Sequence, residues 1–334
     1  MKISVIIGRF QPFHEGHLHL LFTALQESDK LIVVLGSANR ARSVKNPFTT
    51  AERKSMIRSV FPEDIHRIAF VSSPDNLYKE WSWKSEIVRQ VNDEIPTPDA
   101  LVTLYGHFKD DSSYYLKEFP EWSLREVYNV NEIDATGIRE TYFEDGIISR
   151  YVIPSRVEAF LSGFKMSQEY RDLCKDWEFF KWEKKAFSDY PFHETLNFMC
   201  SDAVVVCQGH VLLIKRKSAP GKNTWALPGG FKNANESFLD CAVRELKEET
   251  NLRIPEKVLR GSIKDVNMFD DPRRSFGITR VSMGYYFEVK PDEKGFLPDI
   301  RPDSDAFEAK WIGLAEALSM NLFEDHLDII RWFI

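Results

Sequence analysis

The sequence predicts an α/β protein whose first half is a doubly wound, mostly parallel sheet. Three observations predict it. Apolar runs alternate with helical stretches from residue 3 to about residue 130, the pattern of strands joined by helical crossovers. Small residues close four of those runs, at Gly8, Gly36, Ser72 and Gly106, and such sheets bind ligands beyond the carboxyl ends of their strands. The first run passes straight into Gly8-Arg9-Phe10-Gln11-Pro12-Phe13-His14-Glu15-Gly16-His17 and then into an amphipathic stretch. That order reads as strand, tight loop, helix.

The elements follow in order. Residues 3–7 are apolar and form the first strand, and residues 18–25 the first helix. The loop between them ends at a helix N-terminus, where free N–H groups and the macrodipole favour an anion. His14 and His17 flank the turn that opens the helix, so both can face one phosphate chain. Gly16 lets the backbone pass close to such a ligand. Lys30–Leu35 is a second strand. A helix starts at about Thr50, since Thr49 and Glu52 make a capping-box pair, and Arg53 lies in its second turn. Residues 65–71 read as a third strand, 83–91 as a helix, Leu101–Gly106 as a fourth strand and 124–130 as a fifth.

The whole chain sets bounds. Its 334 residues predict two domains or three. Hydrophobic residues make up 43% and charged residues 28%, a globular balance without a membrane-spanning run or a signal peptide at the start. The net charge of −7 argues against a general nucleic-acid surface while leaving room for local basic pockets. Cys174, Cys200, Cys207 and Cys241 have no zinc-like spacing and read as reduced thiols of a cytoplasmic protein.

The string from Gly8 to His17 resembles the His-x-Gly-His nucleotidyltransferase superfamily, and within it the archaeal-type nicotinamide mononucleotide (NMN) adenylyltransferases. The resemblance implies a Rossmann-like first domain with ATP as substrate. It implies catalytic roles for His14, His17 and Arg139, and phosphate contacts from Gly8, Arg9, Phe10, Gly16, Thr136 and Arg139. Gly36-Ser37-Ala38 and Asn46-Pro47-Phe48-Thr49 with Glu52-Arg53 match further segments of that family. Asp75-Asn76-Leu77-Tyr78 followed by Trp83 resembles its nicotinamide-binding region, so Asp75, Tyr78, Trp83 and Arg53 are implied NMN ligands. An indole face under a pyridinium ring is physically sensible, and Trp81 is the competitor for that role.

Ile133 to Arg139 occupies the place of the family's second phosphate motif. Thr136 can cap the following helix and offer a hydroxyl, and Arg139 a charge-assisted fork. Asp134 stands where a Ser is usual, and a carboxylate there repels a triphosphate unless it points away. The implied reaction is attack of a mononucleotide phosphate on the α-phosphorus of ATP, releasing pyrophosphate. The nucleophile is already an anion, so positioning and charge neutralisation carry the reaction.

From Pro154 to about Tyr190 the composition changes. Tyr170, Leu173, Trp177 and Phe180 recur at helical spacing, which predicts a packing helix that ends at Pro191-Phe192. Residues 202–206 and 210–215 then read as a hairpin turning at Gln208-Gly209. Gly230, Glu236 and Arg244-Glu245-Leu246-Lys247-Glu248-Glu249 follow at the spacing of a second signature. A helix over Phe238–Thr250 puts Glu245, Glu248 and Glu249 on one face. Three adjacent carboxylates repel unless a hard divalent cation sits among them. Arg244 can brace a glutamate from the side.

This pattern resembles the Nudix box, with Asn251 where the box normally ends in Gly. Asn is the next best residue for a left-handed helix end. The resemblance implies an α/β/α sandwich, a metal at Glu245, Glu248 and Glu249, and water attack on a diphosphate. Arg273, Arg274 and Arg280 lie in a segment expected to supply a substrate-side strand. Glu308 or Asp305, in the loop before Trp311, is a candidate base.

The order of modules is similar to the bacterial fusions of NMN adenylyltransferase with an ADP-ribose-type Nudix hydrolase. It implies domains at 1–165 and 194–334 with a helical connection at 166–193. Two activities follow from it: AMP transfer from ATP to NMN giving NAD, and hydrolysis of ADP-ribose to AMP and ribose 5-phosphate. Mg²⁺ or Mn²⁺ is implied at both sites. The partners implied are the small molecules ATP, NMN, NAD and ADP-ribose, with no nucleic acid and no membrane, and a homo-oligomer is left open. The alternatives are another phosphate acceptor for the transferase, another nucleoside-diphosphate derivative for the hydrolase, or a second half that senses a metabolite without cleaving it.

Overall fold

A computed structural model describes residues 1–97, 99–107, 116, 118–128, 133–188, 196–303 and 306–334, with the side chains of 80–82 left aside. The chain divides into two compact units, one of Met1–Ala38 and Arg42–Cys174, the other of Asn39–Ala41 and Lys175–Ile334.

The first unit contains β1 (Lys2–Gly8), α1 (Glu15–Glu27), β2 (Lys30–Leu35), α2 (Thr50–Val60), β3 (Ile68–Ser72), α3 (Glu80–Asp93), β4 (Leu101–Gly106), β5 (Ser123–Glu126), α4 (Ala135–Glu144) and α5 (Ser155–Phe164). The strands lie in the order β3-β2-β1-β4-β5, and every pairing is parallel. Alternation along β1 explains the layering. Ile3 and Val5 join Ile32, Val34 and the α3 residues Ile87 and Val91 in one core. Ser4 points to the other face, where its hydroxyl bonds the Ala24 carbonyl of α1 at 3.2 Å. Strand order reverses at β1, so the ends of β1 and β4, Gly8 and Gly106, flank the crevice where such sheets bind ligands.

Two strand readings shift. Residues 65–67 form a single 3₁₀ turn, so β3 begins at Ile68. The fifth strand is shorter than expected and ends at Glu126, while residues 129 and 130 lie outside the described residues.

α6 (Gln168–Ser188) is the expected long helix, and its break at Pro191-Phe192 lies outside the described residues. The division falls within it, after Cys174. That division lies inside 166–193, the stretch read as the helical connection. Tyr170 bonds the Tyr142 carbonyl of the first unit at 2.7 Å, whereas Phe180 packs its ring on Phe276 of the second.

The second unit contains β6 (Asn197–Cys207), β7 (His210–Arg216), β8 (Trp225–Ala226), β9 (Gly229–Phe231), α7 (Phe238–Thr250), α8 (Glu256–Gly261), β10 (Ile263–Phe269), β11 (Thr279–Glu288), β12 (Ala306–Gly313), α9 (Leu314–Ala317) and α10 (His326–Phe333). The sheet runs β10-β11-β6-β7-β12, with β8 on β7 and β9 on β6. Only β6 and β11 pair in parallel among the described strands of this sheet. The β6–β7 hairpin turns through Gln208 and Gly209, both at positive φ, as a tight two-residue turn requires. Val205, Leu212 and Phe287 face Ala242, Val243 and Leu246 of α7. On the opposite face Phe269 and Tyr286 pack on Phe333 of α10, each with ring centroids at 5.8 Å. The result is the expected α/β/α sandwich.

Candidate active sites

The first site is built on the turn from β1 into α1. Phe10 has φ +52, and a side chain at Gly8 would press on its ring at 3.0 Å, so glycine is needed where the strand ends. Gln11 pins the loop from below, donating to the Phe48 carbonyl at 2.8 Å and accepting from the Phe48 N–H at 2.9 Å. Two buried arginines clamp it. Arg53 Nη1 donates to the carbonyls of Arg9 at 2.8 Å and Gly36 at 2.6 Å. Arg139 Nη1 donates to the Gln11 carbonyl at 2.8 Å, and its Nη2 to Thr136 Oγ1 at 3.1 Å. Burial first, with the nearby charge of Arg9 contributing, lowers both guanidinium pKa values to about 10. Arg9 itself is exposed. The loop is thus a concentration of positive charge with one accessible guanidinium.

His14 is the N-cap of α1, and Gly16 and His17 lie in its first turn. The two imidazoles stack with centroids 3.7 Å apart, and His17 also packs on Phe10 at 4.7 Å and Phe13 at 5.6 Å. The His14 backbone N–H donates to His17 Nδ1 at 3.4 Å. Burial, then the charge of His14, holds His17 well below the usual histidine pKa. A neutral ring whose Nδ1 accepts carries its proton on Nε2.

Several expected residues sit differently. Asp134, not Thr136, is the N-cap of α4, and its carboxylate accepts from the N–H groups of Thr136 at 2.7 Å and Gly137 at 3.1 Å. The acid therefore turns into the helix end, which answers the charge problem at that position. Arg53 is 1% exposed, and its Nη1 is engaged by two backbone carbonyls, which makes it a brace of the loop. Asp75 accepts from the Ser37 N–H at 3.2 Å, joining the ends of β2 and β3. Tyr78 is half-buried in the segment before α3. Trp83 packs edge-on to Phe119, at 6.2 Å, against the core. The side chain of Trp81 lies outside the described residues.

The second site is the face of α7. Ser237 and Asp240 form its capping box, and Asn251 ends it in the left-handed conformation, φ +45 and ψ +35, as expected. Arg244 organises the face. It donates to Glu236 at 2.8 and 2.9 Å, to Glu245 at 2.8 Å, to Glu248 at 3.0 Å and to the Phe231 carbonyl at 3.1 Å. Those bonds hold the Glu236 carboxyl down to about 2. Glu249 accepts from the Gly229 N–H at 3.0 Å. Burial pushes its carboxyl up to about 8, with the charges of Glu245 and Asp202 adding to the effect. A methyl group at Gly230 would strike the Glu245 carboxylate, which explains glycine there.

Among the described residues no three carboxylates, histidines or cysteines converge tightly enough to hold a metal ion. Arg244 draws Glu245 and Glu248 aside and Glu249 turns to the backbone, so the expected convergence is not the arrangement seen. The donor set still fits a hard cation. It has three carboxylates on one helix face, the pKa of one of them raised by burial and by the charges of Glu245 and Asp202, and a divalent ion stabilises such charge in place of the proton.

Of the three arginines expected near this site, Arg273 is exposed and pairs with Asp271 at 2.8 Å. Arg274 is buried on Asp325 at 2.9 Å. Arg280 pairs with Glu183 at 2.7 Å. Glu308 lies within β12, not in a loop, and faces Lys310 at 3.5 Å, while Asp305 lies outside the described residues. The reading from residues alone missed Glu183 and Glu324, whose contacts depend on tertiary register.

Comparison with known proteins places both halves. Residues 5–141 match the family described as Cytidylyltransferase-like, and residues 200–333 match the NUDIX domain. A nicotinamide/nicotinic acid mononucleotide adenylyltransferase of Acinetobacter baylyi is 44% identical over 171 residues, covering 51% of this chain and 89% of that protein. A nicotinamide-nucleotide adenylyltransferase of Sulfurisphaera tokodaii is 30% identical, covering 52% and 98%. The crystal structure of a bifunctional NMN adenylyltransferase/ADP ribose pyrophosphatase from Francisella tularensis superposes with a TM-score of 0.91 at 35% identity, covering 99% of this chain and 98% of that one. A second structure of that enzyme, complexed with AMP and a Mn ion, superposes with a TM-score of 0.90.

Proposed function

The chain belongs to the family of bifunctional NMN adenylyltransferase/ADP-ribose pyrophosphatases, and from that membership we infer that it carries both activities. It transfers AMP from ATP to NMN, giving NAD and pyrophosphate, and it hydrolyses ADP-ribose to AMP and ribose 5-phosphate. The observation that carries the reading is that each signature keeps its residues in its own unit: the stacked His14–His17 pair, and the glutamate face braced by Arg244.

In the first unit an NMN phosphate oxygen bonds to the α-phosphorus of ATP as the bond from that phosphorus to the pyrophosphate oxygen breaks. Pyrophosphate leaves with the electron pair. His17 offers its Nε2 proton to a phosphate oxygen, because its other nitrogen is held by the His14 backbone. Arg9 and Arg139 neutralise charge on the leaving group, Thr136 adds a hydroxyl, and Gly8, Phe10 and Gly16 shape the loop. Arg53 acts through the loop as a positioning residue. Asp75, Tyr78 and Trp83 are assigned to the acceptor nucleotide on the family resemblance.

In the second unit water attacks one phosphorus of the diphosphate, and the bridging oxygen leaves with the other phosphate. Glu245, Glu248 and Glu249 would hold Mg²⁺ or Mn²⁺, which supplies a polarised water and neutralises phosphate oxygens. Arg244 Nη1 bridges Glu245 and Glu248, and Glu236 keeps Arg244 in place. Nucleotides are the partners of both sites. Among the described residues no helix is long and apolar enough to cross a membrane.

The test is a product assay by chromatography with single-site variants. His17→Ala should abolish NAD formation from NMN and ATP while ADP-ribose cleavage persists, and Glu249→Gln should do the reverse. Loss of both activities from one change in a folded protein sinks the two-site reading.

A further inference from the structure

Arg280 sits near the start of β11, where the parallel register sets it opposite Phe198 of β6. Its guanidinium lies over the ring of Phe231, 5.7 Å from the centroid. Phe231 directly follows Gly230, its carbonyl is held by Arg244, and it is 50% exposed. Arg280 therefore stands at the end of β9, whose last residue is tied to α7 through Arg244.

Two carboxylates answer it unequally. Glu183 accepts from Arg280 Nη2 at 2.7 Å, is buried, and also receives the Ile278 N–H at 3.3 Å. Glu324 stays 3.8 Å from Nη1, outside hydrogen-bond reach, and the Phe276 carbonyl at 3.4 Å is a weak second acceptor for that nitrogen. Glu324 holds a left-handed backbone, φ +43, which disfavours any residue with a Cβ and marks positions held by their surroundings. Burial pushes its carboxyl up, and the charges of Arg280, Arg274 and Arg216 oppose that shift, while Arg216 in turn feels both Glu324 and Glu249. One loosely held carboxylate thus stands among three arginines next to the helix that carries the chemistry.

We infer that Arg280 receives a phosphate oxygen of the nucleoside-diphosphate-linked substrate of the second unit, and that Glu324 is the internal anion which faces Nη1 until that phosphate displaces it. Glu183 aims the guanidinium without saturating it. Phe231 supports its flat face, and the Nη1 edge offers the planar donor geometry that phosphate matches. The inference rests on the reading of the second unit as an ADP-ribose hydrolase.

The experiment uses the full-length protein with ADP-ribose as substrate and AMP as competing product. Glu324→Gln removes the competing charge and keeps the size, so KM for ADP-ribose and the inhibition constant for AMP should both fall about threefold or more. Arg280→Lys keeps a cation for Glu183 but loses the fork, so KM should rise about tenfold with kcat changed far less. NAD formation by the first unit and the denaturation midpoint report folding of each variant. If Glu324→Gln leaves KM unchanged or raises it, Glu324 is only a structural counter-ion and the inference fails. It fails equally if Arg280→Lys moves neither constant. Wild-type protein that leaves ADP-ribose uncleaved overturns the underlying reading, and the inference with it.

Discussion

A methyl group at position 230 would occupy the space of the Glu245 carboxylate. Gly230→Ala should therefore push that glutamate off the α7 face and cut ADP-ribose hydrolysis by about a hundredfold, the scale lost when a catalytic group is misplaced by an ångström. NAD formation in the same preparation should not change, and parallel assays of both products check it. In the first unit His17 links structure to pH. Burial and the facing His14 hold its pKa well below the usual value near 6.5. Between that lowered value and about 6.5 the unfolded chain binds a proton that the folded chain excludes, so stability present above that window is lost as the medium is acidified through it. Urea midpoints of the first unit should drop on going from about pH 7.5 to 5, and less so in His17→Asn. An equal drop in the variant assigns the acid sensitivity to other groups.

Elements were legible where their signals are local. The helix Phe238–Thr250 coincides with its expected bounds because capping, period and end residue all lie within it. Its Asn251 end carries a prediction. Asn251→Gly should keep hydrolysis and stability, whereas Asn251→Val should cost roughly 1–2 kcal/mol by denaturant melting, since a branched side chain resists the left-handed backbone. The cap of α4 was misread because Asp134 and Thr136 are both good caps, and the choice depends on which backbone turns first. The third strand loses residues 65–67 to a 3₁₀ turn that apolar content alone does not reveal. The loop signature announced His14 and His17, yet not that Arg53 would be consumed by the carbonyls of Arg9 and Gly36. Pairs such as Arg280–Glu183, 97 residues apart, join β11 to the long helix α6 and are written in no local pattern.

On the scale of the whole molecule, the two activities constrain each other chemically. A hydrolase that cleaved NAD efficiently would consume the product of its companion site. The second unit should accordingly prefer ADP-ribose to NAD in kcat/KM by about a hundredfold or more, as expected when a pocket excludes a group instead of merely losing contact with it. Measuring both substrates with His17→Ala protein prevents resynthesis, and parity between them would make the unit a general dinucleotide pyrophosphatase. The division of the chain adds a constraint of another kind. Asn39–Ala41 counts with the second unit, where Arg40 meets the buried Asp328 at 2.6 Å and donates to the Glu324 carbonyl. A gene cut at the long helix would leave that guanidinium on the wrong polypeptide. The fragment 175–334 should be less stable than the same unit in the intact chain by about 3 kcal/mol, the cost of stranding one member of a buried ion pair. The two enzymes are thus spliced, not merely strung together, and a lineage that sought to separate them would first have to replace Arg40.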